Sequence, residues 1–456
     1  MALLGHVDHG KTTLLDRIRS SNVQGREAGG ITQSIGASVI KTKEGKTITF
    51  IDTPGHAAFL KMRSHGASAA DIALLVVAAN DGVKPQTKEA LKHIRKAKIP
   101  FIVVITKSDL PSVNIENTKK QLEGEEVQLE GQGGDVPLVV TSGKNGKGID
   151  ELLETIILLA EVNELSGDLD GDLKAIVIET MQSKGGPLVS IVVKEGKLMV
   201  GDSIVAGNIE ARVKGMFNDK GEREKEVLPG EPSRVLGFKT LPEVGVVVSS
   251  KSTSLLERSA IKDNRKKPKV EEGQLAFVVK TSSTGALDAV LFSLPEGVIV
   301  VGSGVGEVNK ADVLLAKDAS AKIFTFGAKI PKNTVNLAVT EGVDVKSFEI
   351  IYELIEAVEE EIKAGLVEEL GRAEIVDEFP YNKKRVAGCR VLAGKIQTGK
   401  PLILEREGEK VNTALAVSLR KQKQKVSIVK QGEEFGVILK PQLDFTIGDM
   451  LVSVAK

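Results

Sequence analysis

The sequence predicts a multidomain protein of α/β plus β class, and three observations carry that prediction. Its 456 residues are too many for one core and suggest roughly three or four domains. The N-terminal part alternates apolar runs with helical spacing, the texture of a sheet with crossover helices. Further on, two stretches of short alternating strands broken by glycine turns have the texture of β-barrels, and a second, smaller alternation of strand and helix separates them.

In residues 1–165, ALL before Gly5, TITFID ending at Asp52, DIALLVVAAN from Asp71 and PFIVVITKSD from Pro100 read as strands. The later ones are apolar on both faces, as in a parallel sheet. TTLLDRIRS and QTKEALKHIRKA have helical spacing, and GIDELLETIILLAEVNEL, opened by Gly148, reads as a closing helix. SGDLDGD from Ser166 is a polar, turn-rich break where the first domain ends. Residues 170–258 read as a β-barrel, and SAIKDNRKKPKVEEGQ from Ser259 as a solvated connector. Residues 270–346 read as a smaller α/β domain. Apolar residues at Ile350, Leu354, Val358 and Ile362 then predict a long connecting helix over residues 347–370. Residues 371–456 return to strand texture as a C-terminal β-barrel, and the GD turns at Gly201 and Gly448 fall at similar places in the two barrels.

Composition excludes several classes. Lys plus Arg equal Asp plus Glu at 62 each, so no global field points to nucleic acid, and any such contact must use local patches. The single cysteine, Cys389, rules out an internal disulfide and suits a reducing compartment. No apolar run approaches the ~18 residues a span needs, and no signal-peptide pattern opens the chain. A soluble, cytoplasmic protein is expected, with neither membrane nor DNA as partner. No heptad run points to assembly, so a monomer is expected. Aromatic residues make up 3% with no Trp, which leaves few stacking platforms, so RNA would be gripped by shape and backbone.

The chemistry begins almost at the first residue. GHVDHGKT fits G-x-x-x-x-G-K-[ST], a phosphate-cradling loop between strand and helix. Gly5, Asp8, His9, Gly10, Lys11, Thr12 and Thr13 form that loop and the helix start, where backbone N–H groups and the helix dipole favour an anion. Lys11 would neutralise β- and γ-phosphates, and the Thr12 hydroxyl would ligate Mg²⁺. In DTPGH, Asp52 can hold Mg²⁺ through water and the Gly55 N–H can meet the γ-phosphate. GREAGGITQSIGA, from Gly25, reads as a polar loop that orders around a ligand, with Thr32 its best metal ligand. In TKSD, Thr106, Lys107 and Asp109 follow a buried strand, and the Asp109 carboxylate can accept from both guanine N1 and the 2-amino group. Ser142, Gly143 and Lys144 of TSGK can offer a backbone N–H to guanine O6. His6 and His9 belong to the phosphate loop rather than to a zinc pair, and His65 and His93 read as ordinary helix residues.

GHVDHGKT, GGITQSIGA, DTPGHAAF, MRSHGA and VVAANDGVKPQT in succession resemble the translational GTPases, and in combination the bacterial translation initiation factor two family. The resemblance covers nearly the whole chain: GDSIVAG with GMFNDKGE resembles the family's second domain, and GVGEVNKADVLLA with FEIIYELIEAVEEE its third domain and connecting helix. AGCRVLAGKI to the end resembles its tRNA-binding barrel. The resemblance implies GTP hydrolysis, triggered on the ribosome when its subunits join, with GTP or GDP and Mg²⁺ as ligands and His56 orienting the attacking water. Initiator formyl-methionyl-tRNA is the implied partner, its end taken by a pocket that includes Cys389.

Four positions depart from the family pattern. Thr106 replaces an Asn that braces the loop, Gly143 an Ala, Ser34 a His, and Phe435, next to Gly436, a second cysteine of the barrel pocket. A ring at Phe435 is expected to narrow that pocket. Arg420 and Lys421 open RKQKQK, a run expected to touch RNA phosphate. Four residues precede Gly5, so either the piece is shortened or its first strand is minimal, and the N-terminal extension of many members is not part of this sequence. Three other readings stay open: an elongation-type carrier of aminoacyl-tRNA, a nucleotide-gated ribosome or RNA binder with negligible turnover, and a small-molecule P-loop kinase.

Overall fold

A computed structural model of the chain describes residues 1–21, 25, 28–111, 113–250, 275–365, 369–381, 384–406, 409–422 and 424–454. The connector from Ser259, the expected limits at residues 258 and 270, and Lys423 lie outside the described residues. Two compact units are formed, Met1–Glu359 and Glu360–Lys456.

The first unit opens with a six-stranded sheet built from β1 (Ala2–Gly5), β2 (Gly36–Lys41), β3 (Thr47–Asp52), β4 (Ala73–Ala78), β5 (Phe101–Thr106) and β6 (Leu138–Val140). Its order is β2-β3-β1-β4-β5-β6. Helices α1 (Lys11–Arg19), α2 (Leu60–Ala69), α3 (Pro85–Ala97) and α4 (Ile115–Gly124) connect the strands, and α5 (Ile149–Val162) follows β6. Because side chains alternate across a strand, Leu3, Leu74 and Val76 meet Leu14, Leu15, Leu152 and Ile156 on one face. Leu4, Leu75 and Val77 meet Ala90, Leu91 and Ile94 on the other. All six residues of β4 are buried, which is why that run shows no alternation. The sheet is parallel except at its edge, where β2 runs antiparallel to β3. The turn at Gly45, with φ 81°, folds residues 36–52 into a hairpin.

An eight-stranded antiparallel sheet follows, from Lys174–Ser183 to Val247–Ser250. Beyond it stands a four-stranded parallel sheet made of Leu275–Thr281, Val298–Val305, Lys322–Phe326 and Val345–Phe348. Its helices are α6 (Thr284–Ser293), α7 (Lys310–Asp318) and α8 (Lys332–Glu341), and α9 (Ile351–Gly365) comes next. The helix expected from residue 347 thus starts at Ile351, because Val345–Phe348 pairs as an edge strand. Its buried stripe is Ile351, Leu354 and Val358, spaced three then four, as a period of 3.6 requires. Leu354 and Val358 are members of the expected stripe, whereas its first place is taken by Ile351 in place of Ile350, and Ile362 is only half-buried.

The second unit is a barrel closed on itself. Its strands run Glu369–Tyr381, Met450–Val454, Pro401–Arg406, Glu409–Lys421, Glu434–Lys440 and Lys384–Gln397, and the last pairs back on the first. The two GD turns have the same local structure. Gly201 and Gly448 have φ of 104° and 95°. The following aspartates each accept from a backbone N–H three residues earlier, Met199 to Asp202 and Thr446 to Asp449, both at 2.8 Å. Among the described residues no helix is long and apolar enough to cross a membrane.

Candidate functional site

The loop between β1 and α1 is shaped by backbone conformations that few side chains tolerate. A Cβ on Gly5 would collide with the Val76 carbonyl, and Asp8 and Gly10 have φ of 59° and 81°. Gly10 caps α1 with no side-chain hydrogen bond, so the first N–H groups of α1 are not engaged by a capping side chain. Lys11 is buried and donates to the carbonyls of Gly5 at 3.1 Å and His6 at 2.6 Å. Burial lowers its pKa to about 8, against the attraction of Asp52. Gly55 rests directly on this loop: a Cβ there would lie 2.5 Å from Lys11 Nζ and 3.0 Å from the Val7 nitrogen.

Thr12, Thr32 and Asp52 converge beside the lysine. The Thr12 and Thr32 hydroxyls share a hydrogen bond of 2.7 Å, and Thr12 donates to Asp52 Oδ2 at 3.5 Å. Burial raises the Asp52 pKa to about 6, opposed first by Lys11, and Asp52 Oδ1 is buried with no hydrogen-bond partner among the described residues. The donor set is all oxygen, as magnesium prefers. Neighbouring ligands of an octahedral ion at about 2.0–2.1 Å stand about 2.9 Å apart, close to the spacing of the two hydroxyls. The residues fit that ion.

His56 ends the same segment, and its Nδ1 accepts from the Ala58 N–H at 3.2 Å. Burial and then Arg63 hold its pKa below the ordinary value. Arg63, fully buried in α2, donates to the carbonyls of Pro54 at 3.1 Å and His56 at 2.5 Å and pairs with Glu89 at 2.6 Å. One guanidinium therefore fixes the backbone on both sides of Gly55. MRSHGA contributes to the family resemblance, but its arginine carries no role that sequence alone reveals.

The residues expected to read the base gather at or just beyond the ends of β5 and β6. Thr106 Oγ1 donates to the His9 carbonyl at 2.6 Å, so the hydroxyl still braces the phosphate loop, although it has no second donor for a base. Asp109 Oδ1 accepts from Ser142 Oγ at 2.6 Å, which holds its carboxyl below the usual range. Lys107 has φ of 58°, and Lys144 is exposed. Gly143 packs on α1, where a Cβ would come 3.1 Å from Thr13 Cγ2. The glycine in place of alanine therefore suits a close approach. One cavity is lined by Val7, Asp8, Gly10, Lys11, Thr12, Thr13, Gly30, Ile31, Thr32, Gly55, His56 and Tyr352.

Two residues of this region escaped the sequence reading. Tyr352, in the first turn of α9, presents its ring to His56 with centroids 4.5 Å apart at 73°. Gln33 donates to the Glu349 carbonyl at 2.9 Å and accepts from the Ile351 N–H at 3.1 Å. No local pattern announces either contact, since the partners lie hundreds of positions apart.

In the barrel, Cys389 and Phe435 face each other across paired strands and belong to one apolar core. They are 1% and 4% exposed, and burial pushes the Cys389 thiol up. Gly436 pairs with Arg420 across neighbouring strands, and Lys421 is held by Glu433 at 2.6 Å. Cys389 and Phe435 thus belong to the barrel interior, whereas Arg420 and Lys421 lie nearer its surface.

Three family profiles match the chain: the elongation factor Tu GTP binding domain over residues 1–162, elongation factor G domain 2 over residues 172–251, and translation-initiation factor 2 over residues 250–359. Translation initiation factor IF-2 of Dehalococcoides mccartyi is 40% identical over 99% of this chain and 81% of its own length. The proteins of the same name from Thermotoga petrophila and Aquifex aeolicus are 40% and 39% identical over 99% of this chain. The match takes in 70% of the Thermotoga protein and 60% of the Aquifex protein. With relatives of that name matched at about 40% identity over 99% of its length, the chain belongs to the translation initiation factor IF-2 family and is a guanine-nucleotide-binding GTPase.

Proposed function

We propose that this protein is a ribosome-stimulated GTPase of translation initiation that binds initiator formyl-methionyl-tRNA and promotes joining of the ribosomal subunits, working as a cytoplasmic monomer. The observation that carries the nucleotide chemistry is the convergence of Thr12, Thr32 and Asp52 beside buried Lys11. Lys11 holds the β- and γ-phosphates, and Thr12, Thr32 and Asp52 would hold a magnesium ion. That ion would supply positive charge against the phosphates. The Gly55 N–H meets the γ-phosphate, and His56 orients the attacking water once the ribosome positions it, so catalysis is positioning plus electrostatics.

Gly5, Asp8, His9, Gly10 and Thr13 complete the phosphate cradle. Guanine is read by Asp109, flanked by Thr106 and Lys107, and by the loop Ser142, Gly143 and Lys144. The tRNA end is received by the terminal barrel around Cys389, Phe435 and Gly436, with Arg420 and Lys421 toward phosphate. The interior placement of Cys389 and Phe435 means that Phe435 shapes this region from within. Membership in the initiation family sets aside the elongation-type carrier and the small-molecule kinase.

The test is GTP hydrolysis by the purified chain, alone and with assembled bacterial ribosomes, beside His56→Ala. Slow turnover alone, strong stimulation by ribosomes and its loss in the variant are expected. Background turnover in the presence of ribosomes would favour the nucleotide-gated binder instead. Retention of formyl-methionyl-tRNA over the unformylated form, measured by protection of the ester bond, tests the barrel assignment, and equal protection of both overturns it.

A further inference from the structure

We propose that Tyr352 is a positioning residue for His56, holding its ring in the resting orientation through an edge-to-face contact that must break before the histidine can orient water. The inference rests on the assignment of His56 to the attacking water. Among the described residues, three contacts hold the imidazole. The Ala58 N–H donates to Nδ1, and the Phe59 ring stands 6.2 Å away. Both belong to the turn that carries His56 and travel with it. The Tyr352 ring, at 4.5 Å and 73°, comes instead from α9, beyond the third sheet.

The geometry of α9 makes this contact a fixed reference. Gln33 bonds to the Glu349 carbonyl and the Ile351 N–H, satisfying a donor that every helix start leaves open. Ile350 packs over Gly29, where a Cβ would lie 3.0 Å from its Cδ1. The start of α9 is therefore clasped by the loop that carries Thr32, and Tyr352 reaches from it to the segment that carries His56. A displacement of α9 withdraws the ring, and an aromatic pair of this geometry shifts an equilibrium by roughly two- to tenfold.

Tyr352 is 41% exposed, so its replacement leaves the core intact. The test uses the full chain with Tyr352→Leu, which removes the ring, and Tyr352→Phe, which keeps it. Ribosome-free hydrolysis of Mg²⁺·GTP and the His56 ring-proton resonances are the two readouts. Tyr352→Leu is expected to raise kcat roughly two- to tenfold with KM unchanged and to move the resonances as the ring-current shift disappears, while Tyr352→Phe matches the parent in both. Unchanged or reduced kcat in Tyr352→Leu overturns the proposal, as does a Tyr352→Phe variant that behaves like Tyr352→Leu. His56→Ala separates the layers: if ribosome-stimulated hydrolysis survives it, the role of His56 fails, whereas the resonances still show whether Tyr352 holds the ring.

Discussion

Lys11 at the start of α1 and Asp52 at the end of β3, and Arg406 and Asp449 in the terminal barrel, are charged residues withdrawn from water to different extents, yet their surroundings act in opposite senses. Burial draws Lys11 down to about 8 and Asp52 up to about 6, each toward its neutral form. In the barrel, two hydrogen bonds from Arg406, at 2.9 and 2.8 Å, take Asp449 down to about 2, toward its charged form. The carboxylate that ends a structural turn is satisfied by its own chain. The charges beside the phosphate loop are arranged around chemistry that the chain itself does not complete, the usual mark of a functional site.

The strongest way to break that contrast lies in the barrel. If Phe435 is structural, Phe435→Ala leaves a hole in the core and destabilises the barrel by about 3–5 kcal/mol. Denaturant unfolding followed by a barrel-specific probe checks this, and a loss under about 1 kcal/mol would mean that the ring fills an adaptable pocket. Next comes Lys11→Met, expected to weaken guanine-nucleotide binding by about 100-fold or more. Its ligand-free melting temperature should stay level or rise, because a buried charge is gone. A fluorescent nucleotide titration and a melting scan give both numbers, and a variant that binds normally and melts early reverses the contrast.

Arg406→Met sharpens the barrel side. The Asp449 pKa lies below its ordinary 3.8, at about 2. Its stabilisation is therefore complete above about pH 4 and disappears as pH falls through about 2. Arg406 is 42% exposed, so solvent screening limits the pair to about 1 kcal/mol. The variant should lose that amount at pH 7 and begin acid unfolding at higher pH, followed by circular dichroism. An unchanged acid limb would remove Arg406 as the cause. Thr106→Asn should have the smallest effect: an amide that can both brace His9 and reach the base is expected to tighten GTP binding by about two- to fivefold. Weaker binding would show that the hydroxyl bond to the His9 carbonyl cannot be replaced.

What could be read in advance follows the range of the interactions. The phosphate loop was legible because Gly5, Gly10, Lys11 and Thr12 act within one turn of chain. Asp52, Gly55 and Asp109 were legible because Asp52 ends an apolar strand and the other two follow an apolar strand within three residues, in segments whose neighbours carry a known chemistry. The antiparallel β2 escaped because its first two residues, Gly36 and Ala37, close a stretch that reads as a polar loop, and its pairing depends on the Gly45 turn. For Cys389 and Phe435 the family resemblance implies a pocket, whereas how deep both side chains lie follows only from the closure of the barrel. Gln33 and Tyr352 lie at the far limit, since their partners are fixed by the third dimension alone.

The clasp of Gln33 on Ile351 spans 318 positions of sequence. A chain made from its N-terminus has completed the Gln33 loop long before α9 is synthesised, and domains generally fold in that order during synthesis. The opening turn of α9 therefore docks onto a surface that already exists and is among the last joints to form. Contacts of such long separation return little until the loop between them is closed. The same joint should be among the early ones to exchange amide hydrogens in the folded protein, with the Ile351 N–H less protected than the six N–H groups of β4.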